Sequence, residues 1–226
     1  MDDLYTSATH LDGIHSIMDI LEWLKSRSSL NQYSVEIVAL DEMAGWEFDT
    51  CSGNLVHSTG RFFRIEGLDV EVRINNSIRR WQQPIINQPE VGILGFITKR
   101  IDGILHLLVQ AKMEPGNINF TQVSPTVQAT HSNYTQVHGG RSPEFIEYFL
   151  EQKNCRILVD QLQSEQGTCY LNKRNRNVVV QLPDDFPLPH SEDFLWVTLG
   201  QLQSLMQFSN LVHMDCRSII GSLTYQ

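Results

Sequence analysis

The stretch from Trp81 to Arg141 holds the side chains best suited to chemistry, and they are concentrated in its second half. From Gln110 onward, amides, hydroxyls, Lys, Glu and His are interleaved with prolines and glycines, a composition suited to lining a polar pocket. His131 and His138 are of the residue type most often used for general acid–base chemistry, and the two glycines after His138 would let a ligand approach closely. A long solvated loop has the same composition, so both interpretations stay open.

A second group of candidate residues lies later in the chain, where Lys173, Arg174 and Arg176 fall within four positions. The sequence predicts that they lie between two strands, at Thr168–Leu171 and Val178–Leu182. Guanidinium groups match phosphate oxygens in a bidentate manner, so such a cluster could clamp a diphosphate. A charged hairpin turn is the alternative interpretation.

Three glutamates, Glu144, Glu147 and Glu151, follow a Gly-Gly pair at helical spacing. Acids at this spacing resemble the catalytic helix of Nudix hydrolases, which gathers a divalent metal, but the Arg-Glu and Glu-Glu pairs that precede a glycine in that family's pattern are missing. The glutamates are therefore predicted to form a solvated face, and no metal site is expected.

Composition limits the class of protein. The 226 residues, 41% of them apolar, suit one domain with extensions. A formal charge of -9 argues against nucleic acid or an anionic membrane as the partner. The four scattered cysteines and an acidic N-terminus without a leader predict a cytoplasmic protein with reduced thiols. No apolar run approaches the roughly 18 residues that a membrane span requires.

These candidate residues must be positioned by a sheet. Two apolar runs, Val91–Thr98 and Ile104–Ala111, flank Asp102-Gly103, a pair typical of a hairpin turn. Further strands are predicted at 34–40, 61–65 and 69–74, with a turn at Glu66-Gly67, and an extended strap is predicted at 85–88 between two prolines.

Helices are predicted around this sheet. One spans residues 13–26, with an inward stripe of Ile14, Ile17, Met18, Leu21 and Leu24 and with Trp23 beside it. Another begins at Ser142-Pro143-Glu144 and buries Phe145, Tyr148 and Phe149. Thr198 is predicted to cap a third helix, and Asp215 a short final one.

Seven strings give the chain a family resemblance: QPEVGILGF, GILHLLVQAKMEPGN, VSPTVQATHSNYTQVHGG, DQLQSEQG, KRNRN, FLWVTLGQL and HMDCRSII. Together they resemble the NDP-hexose 2,3-dehydratases of deoxysugar biosynthesis over about residues 57–222. The resemblance implies a Nudix-like mixed α+β sheet flanked by helices, formed by residues 33–226, with residues 1–32 as a helical extension. Family members usually carry two copies of this domain, so a homodimer is expected. His131 stands where members often carry Arg.

The family reaction, as the resemblance implies, removes water across C2 and C3 of a dTDP-4-keto-6-deoxyhexose without metal or redox cofactor. A base removes the C3 proton, a donor stabilises the enolate oxygen and an acid assists the departing C2 hydroxyl. His138 is the preferred base, Tyr134 or Lys112 could hold the enolate, and Glu114 could be the acid if burial raises its pKa. Lys112 and Glu114 could instead form an ion pair, and His138 could cap a turn.

The remaining predicted substrate contacts are mostly polar side chains near these residues: Trp81, Gln88, Gln110, Asn117, Gln128, His131, Asn133, Arg174, Asn175 and Arg176. Three functions stay open: an active dehydratase, a non-catalytic nucleotide-sugar binding module, and a lyase or isomerase of the same fold that acts on a non-sugar keto intermediate. The basic cluster favours a ligand with a diphosphate.

Overall fold

The computed structural model describes residues 3–30, 33–134, 142–186 and 191–224, which form two β-sheets and several short helices. The strands are β1 (Trp46–Phe48), β2 (Leu55–His57), β3 (Arg64–Ile74), β4 (Ser77–Asn87), β5 (Gly92–Ile101), β6 (Ile104–Met113), β7 (Thr121–Pro125), β8 (Val127–Ala129), β9 (Arg156–Ser164), β10 (Arg174–Gln181) and β11 (Phe194–Thr198). The helices are α1 (Asp3–Thr9), α2 (Ile17–Leu30), α3 (His131–Tyr134), α4 (Glu147–Leu150), α5 (Leu199–Leu205) and α6 (Met214–Ile220), with a 3₁₀ turn at Leu40–Glu42. The predicted mixed α+β fold, with a sheet flanked by helices, is confirmed.

The predicted central hairpin is confirmed. Strands β5 and β6 pair from Thr98 opposite Leu107 to Ile101 opposite Ile104. Asp102 and Gly103 have positive φ angles of 51° and 80°. This pair of left-handed residues matches the right-handed twist of the flanking strands, which is why Asp-Gly predicts the turn.

Beyond Thr98 the hairpin divides, and this fork determines the shape of the molecule. The early part of β5 pairs with β8, while the late part of β6 pairs with β7, so two consecutive short strands are inserted between the hairpin strands. At the junction, the buried Thr126 hydroxyl accepts a hydrogen bond from the Ile97 amide at 3.0 Å and donates one to the Leu108 carbonyl at 2.5 Å. One side chain thus satisfies backbone groups of both diverging strands.

The larger sheet has the strand order β11-β6-β5-β10-β9, with β7 and β8 beside it, and the β5–β10 pair is parallel. Both of its faces are covered, because β5 sends Leu94 and Phe96 into one apolar cluster and Ile93 and Ile97 into another. The first cluster is closed by α1, α2, α5 and α6, and the second by α4 and the turn before it. The strand therefore reads as a continuous apolar run.

Strands β1 to β4 form a smaller antiparallel sheet. It is joined to the larger sheet where Ile86 pairs with the segment before β10: the Ile86 amide donates to the Cys169 carbonyl and the Leu171 amide to the Ile86 carbonyl. Residues 61–65 and 69–74 were predicted as two strands, which is wrong, because Glu66 and Gly67 continue one strand paired with β4. The predicted strap at 85–88 is the end of β4 and the residue after it.

Other local predictions are wrong for identifiable reasons. Residues 33–39 have no regular structure, and Val35, Ile37 and Val38 are exposed because no described strand pairs with them. The helix predicted from Ser142 begins only at Glu147, because Phe145 has a φ of 66°, which a helix cannot contain. Phe145 and Phe149 are nevertheless buried, as predicted. Residues 168–171 form a turn with one bridge at Tyr170, not a strand.

The terminal helices cover the first cluster. Helix α2 lies four residues later than predicted and buries Ile20 and Leu24, whereas Met18 is 63% exposed, so the predicted stripe is partly wrong. Trp23 packs on the same cluster and donates to the Glu192 carbonyl. The Thr198 cap of α5 is confirmed and forms a capping box with Gln201. The boundary at residue 32 stays a prediction.

Replacing Thr126 with Val should destabilise the fold by about 2–4 kcal/mol, because it leaves two buried backbone groups without a partner. Urea unfolding monitored by circular dichroism measures the change. Thr121 is the matched control, since its buried hydroxyl has no partner among the described residues, so Thr121→Val should change stability by under about 1 kcal/mol. Equal losses in the two variants would contradict the role of Thr126.

Candidate functional site

A cleft of about 540 Å³ opens where the fork separates the strands and the smaller sheet meets the larger one. Its first wall is formed by the end of β6 and the residue after it, by β8 and by the beginning of α6, and its second wall by residues 165–175. The end of β4 and the beginning of β5 close the floor. The fork therefore supplies the space, and the loops at its mouth supply the polar groups.

The first wall carries a connected polar network. Lys112 Nζ donates to Glu114 Oε1 at 3.2 Å and to Gln128 Oε1 at 3.0 Å. The His213 Nε2 atom lies 2.8 Å from Glu114 Oε2, and Gln128 Nε2 donates to the Asp215 carboxylate. These groups come from three separate parts of the chain, and β7 brings the last of them into place. The Val123 carbonyl accepts from the His213 amide at 2.9 Å.

The tautomer of His213 follows from its contacts. Nδ1 accepts from the Asp215 backbone amide at 3.2 Å, because His213 is the N-cap of α6. An N-cap acceptor nitrogen cannot carry a proton, so the neutral ring is protonated at Nε2 and donates to Glu114. The sequence predicted Asp215 as the cap, which is wrong, because its carboxylate is engaged by Gln128 instead.

These donors determine the charge of Glu114. The hydrogen bond from His213, aided by the nearby Lys112, lowers the pKa of Glu114 to about 2, although burial acts in the opposite direction. The expectation that burial raises the pKa of Glu114 is therefore wrong. Glu114 is a carboxylate at neutral pH and cannot donate a proton to a leaving group from this state.

The second wall faces this network with Lys173, Asn175, Glu165 and Tyr170. Lys173 is buried, and its Nζ donates to the Glu90 carbonyl. Burial lowers the pKa of Lys173 and raises that of Tyr170. Asn175 accepts from the Gly92 amide at 3.1 Å and donates to the Glu165 carboxylate.

Strand alternation divides the basic cluster between two surfaces. Arg174 and Arg176 belong to β10, not to a turn, so the predicted turn is wrong. Successive side chains of a strand point to opposite faces, and Asn175 lines the cleft whereas Arg174 and Arg176 do not. Arg176 is paired with Asp160 of β9 at 2.5 Å, and Arg174 lines a different cavity.

The structure brings five of the predicted site residues into the cleft lining: Gln88, Lys112, Glu114, Gln128 and Asn175. Other predicted residues lie away from that lining, namely Trp81 on the β4 strand, Gln110 within β6, Asn117 in the turn before β7, and His131 at the exposed start of α3. His138 lies outside the described residues, as do the side chains of Asn133 and Tyr134.

Sequence reasoning missed His213, Asp215, Glu165 and Tyr170 as site residues. The first two lie in HMDCRSII and Glu165 in DQLQSEQG, strings that carried the family resemblance, so those strings held the available signal. The predicted solvated face is confirmed, since Glu144, Glu147 and Glu151 are exposed.

A second cavity of about 330 Å³ adjoins the cleft and shares Gln88 and Thr130 with it. Arg61, Phe62, Phe63 and Arg64 line it. The ring of Phe62 lies 4.3 Å from that of His57, and Phe63 lies 5.0 Å from Trp46. Basic and aromatic side chains thus adjoin the polar cleft.

Two classes of site are absent from the described ranges. Within them, no group of three or more His, Cys, Asp or Glu side chains is arranged to hold a metal ion. None of the helices in residues 3–30, 33–134, 142–186 and 191–224 is long and apolar enough to cross a membrane. Cytoplasmic location stays a prediction.

The ionised Glu114 should make stability depend on pH. Its folded pKa of about 2 lies below the ordinary 4.5, so its contribution is complete above pH 4.5 and is lost as pH falls toward 2. Because the side chain is 32% exposed, we expect only about 1–2 kcal/mol. Urea unfolding at pH 7 and pH 3.5 should show the wild type losing more stability than Glu114→Gln. Parallel losses in both proteins would contradict the network.

Comparison with known proteins identifies the family. The model of the NDP-hexose 2,3-dehydratase family matches residues 17–223. A dTDP-4-dehydro-6-deoxy-alpha-D-glucopyranose 2,3-dehydratase from Amycolatopsis orientalis is 46% identical over 230 residues, covering 100% of this chain and 48% of that protein. One of the same name from Saccharopolyspora spinosa is 50% identical over 204 residues, covering 90% and 41%. The chain thus spans about half the length of the curated relatives it matches.

Solved structures give weaker similarities. The crystal structure of an ADP compounds hydrolase matches with a TM-score of 0.44 and 14% identity, covering 71% of this chain and 84% of that one. The C. elegans Ap4A hydrolase matches with a TM-score of 0.36 and 11% identity, covering 61% and 95%. The family match over residues 17–223 and the two sequence relatives show that this chain belongs to the NDP-hexose 2,3-dehydratase family.

Proposed function

We propose that the cleft binds a dTDP-4-dehydro-6-deoxyhexose and eliminates water across C2 and C3 of the sugar. The observation that carries this proposal is the network of Lys112, Glu114, Gln128 and His213 in the cleft of a chain that belongs to the dehydratase family. The relatives are named 2,3-dehydratases of dTDP-4-dehydro-6-deoxy-alpha-D-glucopyranose. The substrate is taken from that name.

The chemistry requires a donor for the enolate oxygen that forms when the C3 proton leaves. An ammonium group has three hydrogens, and Lys112 uses two of them on Glu114 and Gln128. The third can be donated to the C4 oxygen of the sugar. Glu114 keeps a negative charge beside this ammonium. The carboxylate therefore holds the Lys112 ammonium in place before the C4 oxygen becomes charged.

The diphosphate and base of the nucleotide would occupy the second cavity. Arg61 and Arg64 supply positive charge there, and Phe62 and Phe63 supply aromatic faces for a pyrimidine. The shared residues Gln88 and Thr130 connect the two cavities, so a nucleotide sugar could span both. Arg174 and Arg176, the earlier candidates for the diphosphate, do not line either cavity.

Incubation with dTDP-4-dehydro-6-deoxyglucose tests the function, with mass spectrometry to detect the loss of one water. We expect Arg61→Ala/Arg64→Ala to raise KM by about 10- to 100-fold, since charge-assisted hydrogen bonds to phosphate are lost. The matched control, Arg174→Ala/Arg176→Ala, should leave KM unchanged. Binding of the sugar without loss of water would support a non-catalytic binding module instead. A raised KM in the control alone would contradict the location of the diphosphate.

We also propose that the chain forms a homodimer. Support comes from Ile74 and Trp81 of the β3–β4 hairpin, which are 60% and 44% exposed and which strand alternation places on one face. Sedimentation at micromolar concentration should give about twice the 25.9 kDa mass of one chain, and Ile74→Gln/Trp81→Gln should shift it toward one chain. A wild-type mass of one chain would contradict the dimer.

A further inference from the structure

We propose that Lys173 is the general base that removes the C3 proton of the sugar and then returns this proton to the departing C2 hydroxyl. The inference rests on the proposed function and assigns a step of it to a residue on the second wall of the cleft. Lys173 lies directly before β10, and strand alternation places it on the same face as Asn175, which also lines the cleft.

The surroundings of Lys173 favour a neutral amine. Its side chain is buried, with 6% of the residue exposed, and Nζ donates a hydrogen bond to a neutral group, the Glu90 carbonyl. Among the described residues, no carboxylate lies within ion-pair distance of Nζ. The nearest acids are already engaged: Ser132 donates to the Glu90 carboxylate at 2.9 Å, and Asn175 donates to that of Glu165.

A neutral amine at this position has the lone pair that a base requires. One of its two hydrogens is donated to Glu90, which fixes the nitrogen, and the lone pair remains for a substrate proton. Burial lowers the pKa of Lys173, in the direction that makes the neutral form accessible, although Glu165 and Glu90 act in the opposite direction.

Four other titratable side chains that line the cleft are less suitable. Both nitrogens of His213 are engaged, one by the Asp215 amide and the other by Glu114. Glu114, with a pKa of about 2, is too weak a base for a carbon acid. Lys112 donates to two groups of the network, and the raised pKa of Tyr170 keeps its phenol protonated.

The stereochemistry of the proposed substrate lets one residue perform both proton transfers. In a gluco-configured ring the hydroxyls at C2 and C3 are trans, so the C3 hydrogen and the C2 hydroxyl lie on the same face. The amine takes the C3 proton, and the C–H electron pair forms the C3=C4 enolate. The enolate then collapses to a C2=C3 double bond and restores the C4 carbonyl. The C2–O bond breaks, and the ammonium protonates this oxygen to release water and regenerate the amine.

Lys173→Arg separates a base from a binding residue, because arginine keeps the positive charge but does not deprotonate in proteins. We expect it to retain binding of the substrate within about threefold while slowing both C3 hydrogen exchange in deuterated water and water loss at least about 100-fold. Lys153→Arg, at an exposed lysine outside the cleft lining, is the matched control and should retain exchange, whereas His138→Asn tests the rival base. Exchange at the wild-type rate in Lys173→Arg, or its loss in His138→Asn alone, would overturn the assignment.

Chemical rescue provides a readout that a structural role would not affect. Lys173→Cys treated with bromoethylamine regains an amine that is less basic than lysine, so exchange should return with its pH profile moved to lower pH. Wild-type protein treated in the same way controls for alkylation of the four native cysteines, including Cys169 in the cleft. An unmoved profile would overturn the base role.

The same measurements distinguish failure of this assignment from failure of the proposed function. If the wild type and Lys173→Arg both eliminate water from the sugar, the base assignment is overturned and the dehydratase function stands. A wild type that binds the sugar but neither exchanges nor eliminates would overturn both. Loss of activity and of exchange in Lys173→Arg, with binding and melting temperature preserved, supports the assignment.

Discussion

The hydroxyl of Thr126 holds the sheet together at the point where it divides, and the cleft depends on that division. Two antiparallel strands that separate leave backbone amides and carbonyls without partners, which inside a core costs about 1–3 kcal/mol for each group. The Thr126 hydroxyl avoids this cost at the junction, because it forms hydrogen bonds with both the Ile97 amide and the Leu108 carbonyl. Strands β7 and β8 then satisfy the groups farther along. The two strands can therefore separate without leaving these backbone amides and carbonyls unpaired.

The fork also explains why the site residues come from distant parts of the sequence. Lys112 lies at the end of β6 and Glu114 directly follows that strand, whereas Gln128 belongs to β8, which pairs with β5. Helix α6 reaches them because Val212 bridges to Val123 of β7. On the opposite wall, the parallel pairing of β10 with β5 places Asn175 next to Gly92. A side chain at Gly92 would come within 2.6 Å of the Asn175 amide oxygen, so this contact requires glycine.

Sequence patterns predicted the features that depend on neighbouring residues. The Asp102-Gly103 turn and the Thr198 cap need particular backbone angles or side-chain oxygens, and those requirements are visible locally. The position of α4 was not predictable, since it depends on the left-handed φ of Phe145, whose ring packs in the tertiary structure against that of Phe194 at 4.9 Å. The apolar residues 34–38 also resemble a strand, but a strand exists only where a partner strand is available.

The site was predictable only in part, for the same reason. Lys112, Glu114 and Gln128 lie in one polar stretch, so composition identified them, but His213 contacts Glu114 across 99 positions of sequence. Period-2 alternation could have separated Lys173 and Asn175 from Arg174 and Arg176, provided that β10 had been predicted to begin at Arg174. The error in the start of that strand therefore hid which of these side chains line the cleft.

The protonation states of the first wall originate at the N-cap of a short helix. The Asp215 amide donates to His213 Nδ1, which fixes the ring proton on Nε2, and that proton is donated to Glu114. Glu114 consequently stays ionised and aligns the Lys112 ammonium, whose position is also fixed by Gln128. Each group fixes the donor direction of the next, so the free hydrogen of Lys112 has a defined direction before any ligand arrives. Such alignment stabilises a developing oxyanion without reorganisation, which is the requirement that an enolate intermediate places on its site.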